Sequence, residues 1–253
     1  MIVLDACALA VGTLTRLPVP APRRVDRRVA GLAMLLAPLV GAALGLAVGL
    51  GVTALVDHSS ISPLLAAVVA VGALAYLTRA IHLDGLADTA DALGSGRPAA
   101  QALAIARRSD IGPFGVVAIV VIMSTQAAAT AQAVDLGRAP VLLAVALAGG
   151  RLAMAAGCLR SVPAARPEGL GSAVAGSVPL AAFVLVALGT LVAGAMALGW
   201  PAAAAAVAGA LVVGWLVLRV AVRRLGGMTG DVLGAAAEVS STVSLVILIA
   251  VGA

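Results

Sequence analysis

The chain has no lysine, only eleven acidic residues and two cysteines, and charged side chains make up 11% of its 253 residues. Such scarcity of charge excludes a water-soluble globule. At 62% hydrophobic residues and a mean hydropathy of +1.16, the apolar surface exceeds what one soluble core can hide, whereas a bilayer solvates it directly. Cys7 and Cys158 lie in different segments with no metal-binding or redox spacing around them, and read as unpaired apolar thiols. The first fourteen residues lack a basic n-region and run into "TRLPVPAPRR" in place of a small-residue cleavage site, so a signal peptide is not expected. No fixed repeat and no second domain is visible. The whole chain, 1–253, reads as one integral membrane domain, a cytoplasmic or interfacial arm at 1–28 followed by a transmembrane bundle at 29–253.

What is there is a series of uncharged runs. A span needs roughly 20 residues to cross about 30 Å of hydrocarbon, and 29–56, 58–78 and 111–134 each supply one. The uncharged stretch 169–218 holds two more, with "GWP" at 199–201 as the turn between them. Two weaker spans are interrupted by charge, 139–159 by Arg151 and 232–253 by Glu238. The expected fold is therefore all-α, a polytopic bundle of seven transmembrane helices preceded by an interfacial helix over Ile2 to Leu14, with Pro18, Pro20 and Pro22 as a stiff link. Gly41, Gly45 and Gly49 flatten one face of the first span for close packing.

Arginine sets the orientation. With seven alternating spans, the loops at 57–62, 135–139 and 199–201 share only Arg138, while the other fifteen arginines fall on the opposite side. The positive-inside rule makes that side cytoplasmic, with the N-terminus inside and the C-terminus outside. The arginines are thereby accounted for without a nucleic-acid partner.

Against this background one stretch stands out, "HLDGLADTADALGSG" at 82–96. As a helix it puts Asp84, Asp88 and Asp91 at i, i+4 and i+7 on one face. At about 6 Å and an effective dielectric of about 20, each like-charge pair costs about 3 kcal/mol, which calls for a compensating cation. Hard oxygen ligands at that spacing suit Mg²⁺ or Mn²⁺, with substrate phosphates completing the shell. His82 stands beside them either as a base or as a polar interface residue. Arg151, deep in its span, is costly unless it faces an interior cavity and an anion, and it asks for a phosphate. Asp231 and Glu238, seven residues apart, share a face of the last helix, and Asp231 is a fourth candidate carboxylate. "RRSDIGPFG" offers Arg107, Arg108, the Ser109 hydroxyl and exposed backbone N–H groups as a phosphate cradle. The chemistry expected is phosphoryl or nucleotidyl transfer involving a lipophilic or membrane-delivered substrate.

In chain order, "LTRLPVP", "HLDGLADTADALGS", "SDIGPFGV", "GRLAMA" and "GGMTGDVLGAAAE" resemble the cobalamin synthase family, the adenosylcobinamide-GDP ribazoletransferases, over residues 14 to 238. The resemblance implies a Mg²⁺-dependent enzyme of the bacterial cytoplasmic (inner) membrane, acting on the cytoplasmic side. Its substrates would be adenosylcobinamide-GDP and α-ribazole or α-ribazole 5′-phosphate. It puts Asp84, Asp88 and Asp91 on the metal, Arg16 and Arg151 near phosphates with Asp231 completing the site, and His82 or a free carboxylate oxygen as proton acceptor; Arg107, Ser109 and Glu238 join the substrate-binding set. Arg108 departs from the acidic residue expected before the serine, and Ser241 from a second glutamate. A CDP-alcohol phosphotransferase would need an alanine–arginine pair and a wider aspartate spacing, and a transporter would carry its charges near the bilayer midplane. Beyond the lipid bilayer as partner, a homo-oligomer is left open.

Overall fold

The computed structural model describes residues 1–108 and 110–253, with Leu170 described in its backbone only. Among the described residues the chain forms eleven helices, α1 (Ile2–Leu14), α2 (Arg27–Asp57), α3 (Pro63–Leu77), α4 (Ile81–Gly94), α5 (Ala99–Ile105), α6 (Pro113–Asp135), α7 (Ala139–Ala156), α8 (Leu170–Val174), α9 (Leu180–Leu198), α10 (Trp200–Leu225) and α11 (Gly230–Ala250). Two isolated bridges, Leu159 with Val178 and Ala164 with Met228, are the only extended pairings among them. The all-α reading holds. Helix starts follow local chemistry. The Asp26 side chain accepts from the N–H groups of Arg28 and Val29 to cap α2, Ser62 and Thr229 cap α3 and α11, and prolines occupy the first turns of α3, α6, α7 and α10. Gly199, at φ +87°, makes the turn between α9 and α10.

Six helices, α2, α6, α7, α9, α10 and α11, are each long and apolar enough to cross a bilayer. The expected span at 58–78 is the 15-residue α3, which qualifies only together with α4, from which it is bent by 89°. The protein is a multi-pass membrane protein with six membrane-length helices and up to a seventh crossing at α3, from which α4 bends away. α7 and α11 are the buried centre; α2, α9 and α10 surround them and expose apolar side chains such as Leu185 and Met196 outward. Cys7 and Cys158 are free thiols, the second buried.

The α3–α4 bend is made by Arg79 and Ala80, at φ +55° and +53°. For residues with a Cβ this left-handed conformation costs about 1–2 kcal/mol each. Hydrogen bonds to the N-terminal arm offset it: the Arg79 guanidinium donates to the carbonyls of Gly12 (2.5 Å) and Thr13 (3.0 Å), and the Arg16 N–H to that of Leu77 (2.8 Å). The arm and α1 thus brace the corner from which α4 departs.

The glycine stripe does what its spacing predicts. A Cβ on Gly41 would stand 2.6 Å from the Leu147 carbonyl oxygen, and one on Gly45 would fall on that of Leu143, so α2 and α7 meet backbone to backbone. Gly45→Val should lower the thermal midpoint in detergent, an overpacking cost of about 1–3 kcal/mol. Gly51→Val, on the same helix with nothing within 4 Å of its Cβ position, should leave the midpoint unchanged.

Candidate active site

The aspartate helix α4 seats against the start of α11 through two glycines. A Cβ on Gly85 would lie 2.7 Å from the carbonyl oxygen of Asp231, and one on Gly234 would lie 3.1 Å from the His82 backbone. Only with both glycines can the two helices approach this closely, and the approach sets Asp84 and Asp88 beside Asp231. The three aspartates of α4 run from solvent to core: Asp84 is exposed, Asp88 half-buried and Asp91 8% exposed.

Asp91 has a different task from the other two. Its carboxylate accepts from the N–H of Gly112 (2.7 Å) and of Gly115 (2.9 Å), at the N-terminus of α6. Side chains there would collide with it, since a Cβ on either glycine would stand 2.5 Å from a carboxylate oxygen. The exposed amides of "SDIGPFG" are therefore an anion cradle, as the sequence suggests, but the anion they hold is Asp91, favoured there by the helix dipole. Two expectations are corrected: these amides are not free for a phosphate, and both carboxylate oxygens of Asp91 are engaged by α6, so it is not counted with Asp84 and Asp88 as a metal ligand. Arg108 pairs with Asp110 on the surface (2.9 Å), and Ser109 lies outside the described residues.

Beside Asp231 stands a residue that the sequence presents only as one of fifteen like-placed arginines. The loop after α7 runs alongside the segment before α11, the N–H of Met228 donating to the Pro163 carbonyl (2.9 Å) and that of Ala165 to the Met228 carbonyl (2.9 Å). This register carries Arg166 to Asp231, with its guanidinium 3.4 Å from the carboxylate and a buried Nε without a hydrogen-bond partner among the described residues. The Thr229 hydroxyl donates to the same carboxylate (3.1 Å). Arg166, Asp231 and Thr229, with Arg107, Glu168 and Gly171, line a cavity of about 270 Å³. Arg107 sits at its rim, 3.5 Å from Glu168.

Burial, with the like charges of Asp84, Asp231 and Asp91, pushes the Asp88 carboxyl up to about 6, and Arg166 offsets this only in part. The cluster is short of positive charge. Among the described residues no group of three or more His, Cys, Asp or Glu side chains is placed to hold a metal ion. Asp84, Asp88 and Asp231 are hard oxygen donors of the type a divalent cation takes, and a shell there would need phosphate oxygens to complete it.

The remaining candidates form a separate network deeper in the bundle. Arg151, 3% exposed, donates to the Ser241 hydroxyl (3.2 Å) and to Nδ1 of His82 (3.4 Å). Because a guanidinium only donates, Nδ1 is an acceptor and the His82 ring is neutral. Glu238 stands 4.0 Å from that nitrogen and accepts from the Gln126 amide (2.9 Å). α4, α6, α7 and α11 are thereby tied together by buried polar groups, and Glu238 lies near enough to act on Arg151 as a counter-charge, although the two share no direct ion pair. His82, Arg151 and Glu238 hold the platform; they do not line the cavity of Asp231. Arg16 is also elsewhere, stacked 3.8 Å over the ring of Tyr76.

The family model described as cobalamin-5-phosphate synthase matches residues 6–249. The chain is 44% identical to an adenosylcobinamide-GDP ribazoletransferase of Nocardioides sp., over 95% of this chain and 96% of that one. It is 39% identical to a relative of the same name from Frankia casuarinae, over 93% and 91% of the two chains, and 38% identical to one from Bradyrhizobium diazoefficiens, over 74% and 71%. No solved structure matches the chain.

Proposed function

The chain belongs to the cobalamin-5-phosphate synthase family, and from that premise we propose that it transfers the adenosylcobinamide phosphate of adenosylcobinamide-GDP to α-ribazole, or to its 5′-phosphate, with release of GMP. It is a transferase of late cobalamin synthesis embedded in a membrane. The observation that carries the site assignment is the meeting of Asp84 and Asp88 on α4 with Asp231, which lines a cavity together with Arg166.

The residues divide the work as follows. Arg166, with its unpartnered Nε, binds oxygens of the diphosphate and keeps it against α11. Asp84, Asp88 and Asp231 would hold Mg²⁺ or Mn²⁺ together with those oxygens, and such an ion would supply neutralisation of the charge growing on the bridging oxygen as GMP departs. A carboxylate oxygen of Asp88 accepts the proton of the ribose 3′-hydroxyl as that hydroxyl attacks the cobinamide-bearing phosphorus. A carboxyl poised near neutrality suits the task. The P–O bond to GMP breaks as the new one forms, so the contribution of the protein is alignment and charge. Detergent-solubilised protein supplied with adenosylcobinamide-GDP, α-ribazole and Mg²⁺ should release GMP and form adenosylcobalamin in equal amounts by liquid chromatography. Hydrolysis to GMP without the joined product would overturn the acceptor assignment.

Two further results follow from this reading. Asp88 must be deprotonated to act, so kcat/KM should be flat above about pH 7 and fall, approaching tenfold per pH unit, below about pH 6. Because a bound cation competes with the proton, raising Mg²⁺ should move that inflection to lower pH. The cavity opens on the arginine-rich side, which we assign to the cytoplasm of a bacterial inner membrane. In cysteine-free protein, a cysteine at Ser95 should resist membrane-impermeant maleimide in intact cells, and one at Ser60 should react.

A further inference from the structure

The arginines of the arm and of the loop after α7 have a use beyond orientation. Arg27, Arg28 and Arg160 border a cavity of about 680 Å³ together with Gly31 and Ser177. All three are exposed, and none is in a salt bridge among the described residues. Arg27 donates through one nitrogen to the Ala175 carbonyl (2.7 Å), which fixes its guanidinium at the rim. The Ser177 hydroxyl is buried without a partner. Three cations and an unsatisfied hydroxyl around one space describe an anion-binding site.

That space does not end at the interface. Leu32, Leu35 and Ala182 line it and also line a second, almost wholly apolar groove of about 700 Å³ between α2, α7 and α9, roofed at its near end by Val3 and Ala6 of α1. On α2 the groove runs from Leu32 to Leu46, which at 1.5 Å per residue is about 21 Å, enough to traverse one leaflet of about 15 Å, half of the hydrocarbon thickness. A soluble phosphate compound would satisfy the basic mouth but leave the groove open, and a zwitterionic lipid would fill the groove while its own ammonium opposed the arginines. We propose that this continuous cleft binds one anionic glycerophospholipid of the bilayer, its phosphate and anionic headgroup held by Arg28 and Arg160 beside Arg27 and Ser177, and its acyl chain laid between α2 and α9. Basic pockets between transmembrane helices at the cytoplasmic surface select lipids in this manner. The site lies apart from the aspartates of α4, and its occupant serves as a strut that links α1, α2 and α9.

Native mass spectrometry of the delipidated full chain, titrated with dioleoyl phosphatidylglycerol or dioleoyl phosphatidylcholine, tests the assignment without reference to turnover. Wild-type protein should take up one phosphatidylglycerol at a concentration at least tenfold lower than that needed for phosphatidylcholine. The double variant Arg28→Gln/Arg160→Gln should lose the preference to within about twofold, since the guanidinium groups that favour an anionic headgroup are gone. Gly189→Phe, which projects into the groove at a position with nothing within 4 Å, should weaken both lipids several-fold and leave their ratio intact. Equal uptake of the two lipids by wild-type protein, a preference that survives in the double variant, displacement of phosphatidylglycerol by millimolar inorganic phosphate, or a lipid-free dimer as the dominant species would each overturn the proposal.

Discussion

Asp84→Asn and Asp88→Asn each reduce GMP release by at least about a hundredfold, the range associated with losing one group that stabilises transition-state charge, while the thermal midpoint of the solubilised protein stays within error of wild type or rises. The exposure of these side chains dictates the second half of that result. Asp84 is exposed and Asp88 half-buried, so neither carries packing, and replacing Asp88 removes a repulsion that already pushes its carboxyl up to about 6. Asp91→Asn behaves differently although it belongs to the same motif. An asparagine can accept from only one of the two amides of α6, and its NH₂ group meets the other donor. A hydrogen bond to a charged group contributes about 1.5–3 kcal/mol, so this variant should lose stability first and activity in proportion to the folded fraction. Thermal melts followed in parallel with chromatographic GMP assays separate the two classes. Asp88→Asn with half of the wild-type rate would remove α4 from the chemistry.

Arg151→Ala is expected to cost about 1–3 kcal/mol of stability for each buried polar partner it leaves unsatisfied. Those partners are the Ser241 hydroxyl and Nδ1 of His82, and Glu238, 8% exposed, keeps the Gln126 amide but loses a nearby counter-charge. Arg151→Lys keeps the charge, yet a single ammonium cannot reach both the Ser241 hydroxyl and Nδ1 of His82 as the guanidinium does. It should recover part of the midpoint and part of the activity together. Arg166→Lys provides the contrast, with an unchanged midpoint and a raised KM for the nucleotide substrate, because Arg166 lines the cavity and its ion pair is partly exposed. If Arg151→Lys instead melts like wild type and shows the KM defect, Arg151 contacts substrate and the buried-platform reading fails.

The membrane architecture was legible because it depends on a one-dimensional quantity, the length of uncharged runs. The turn at Gly199, the helix over Ile2–Leu14 and the close α2–α7 contact follow from local signals of that kind. The bend between α3 and α4 was not legible, since it is made by Arg79 and Ala80, neither a usual left-handed residue, and is maintained by contacts to α1 that are distant in sequence. In the site, the i, i+4, i+7 spacing correctly put three aspartates on one helix but could not say that the face turns from solvent into the bundle along its length. Asp91 is thereby delivered to α6, although its charge still bears on Asp88. Buried arginine reads as an appeal for a phosphate, whereas the packing of α7 on α4 and α11 gives Arg151 partners within the chain, Ser241 and His82. Arg166 was hidden among charges that set topology. The prolines on either side of it, Pro163 and Pro167, are the one local hint of a fixed extended loop, and its pairing with Met228 is a tertiary fact.

The claim on which the rest depends is that Asp84, Asp88 and Asp231 bind a divalent cation jointly with a diphosphate. Electron paramagnetic resonance of Mn²⁺ measures this directly, because the signal of the free ion disappears on binding. Wild-type protein should bind Mn²⁺ weakly by itself and at least about tenfold more tightly when adenosylcobinamide-GDP is present, since phosphate oxygens complete the shell, and Asp84→Asn/Asp88→Asn should abolish that gain. Mn²⁺ binding that is indifferent to the diphosphate, or that is the same in the double variant as in wild type, would contradict it.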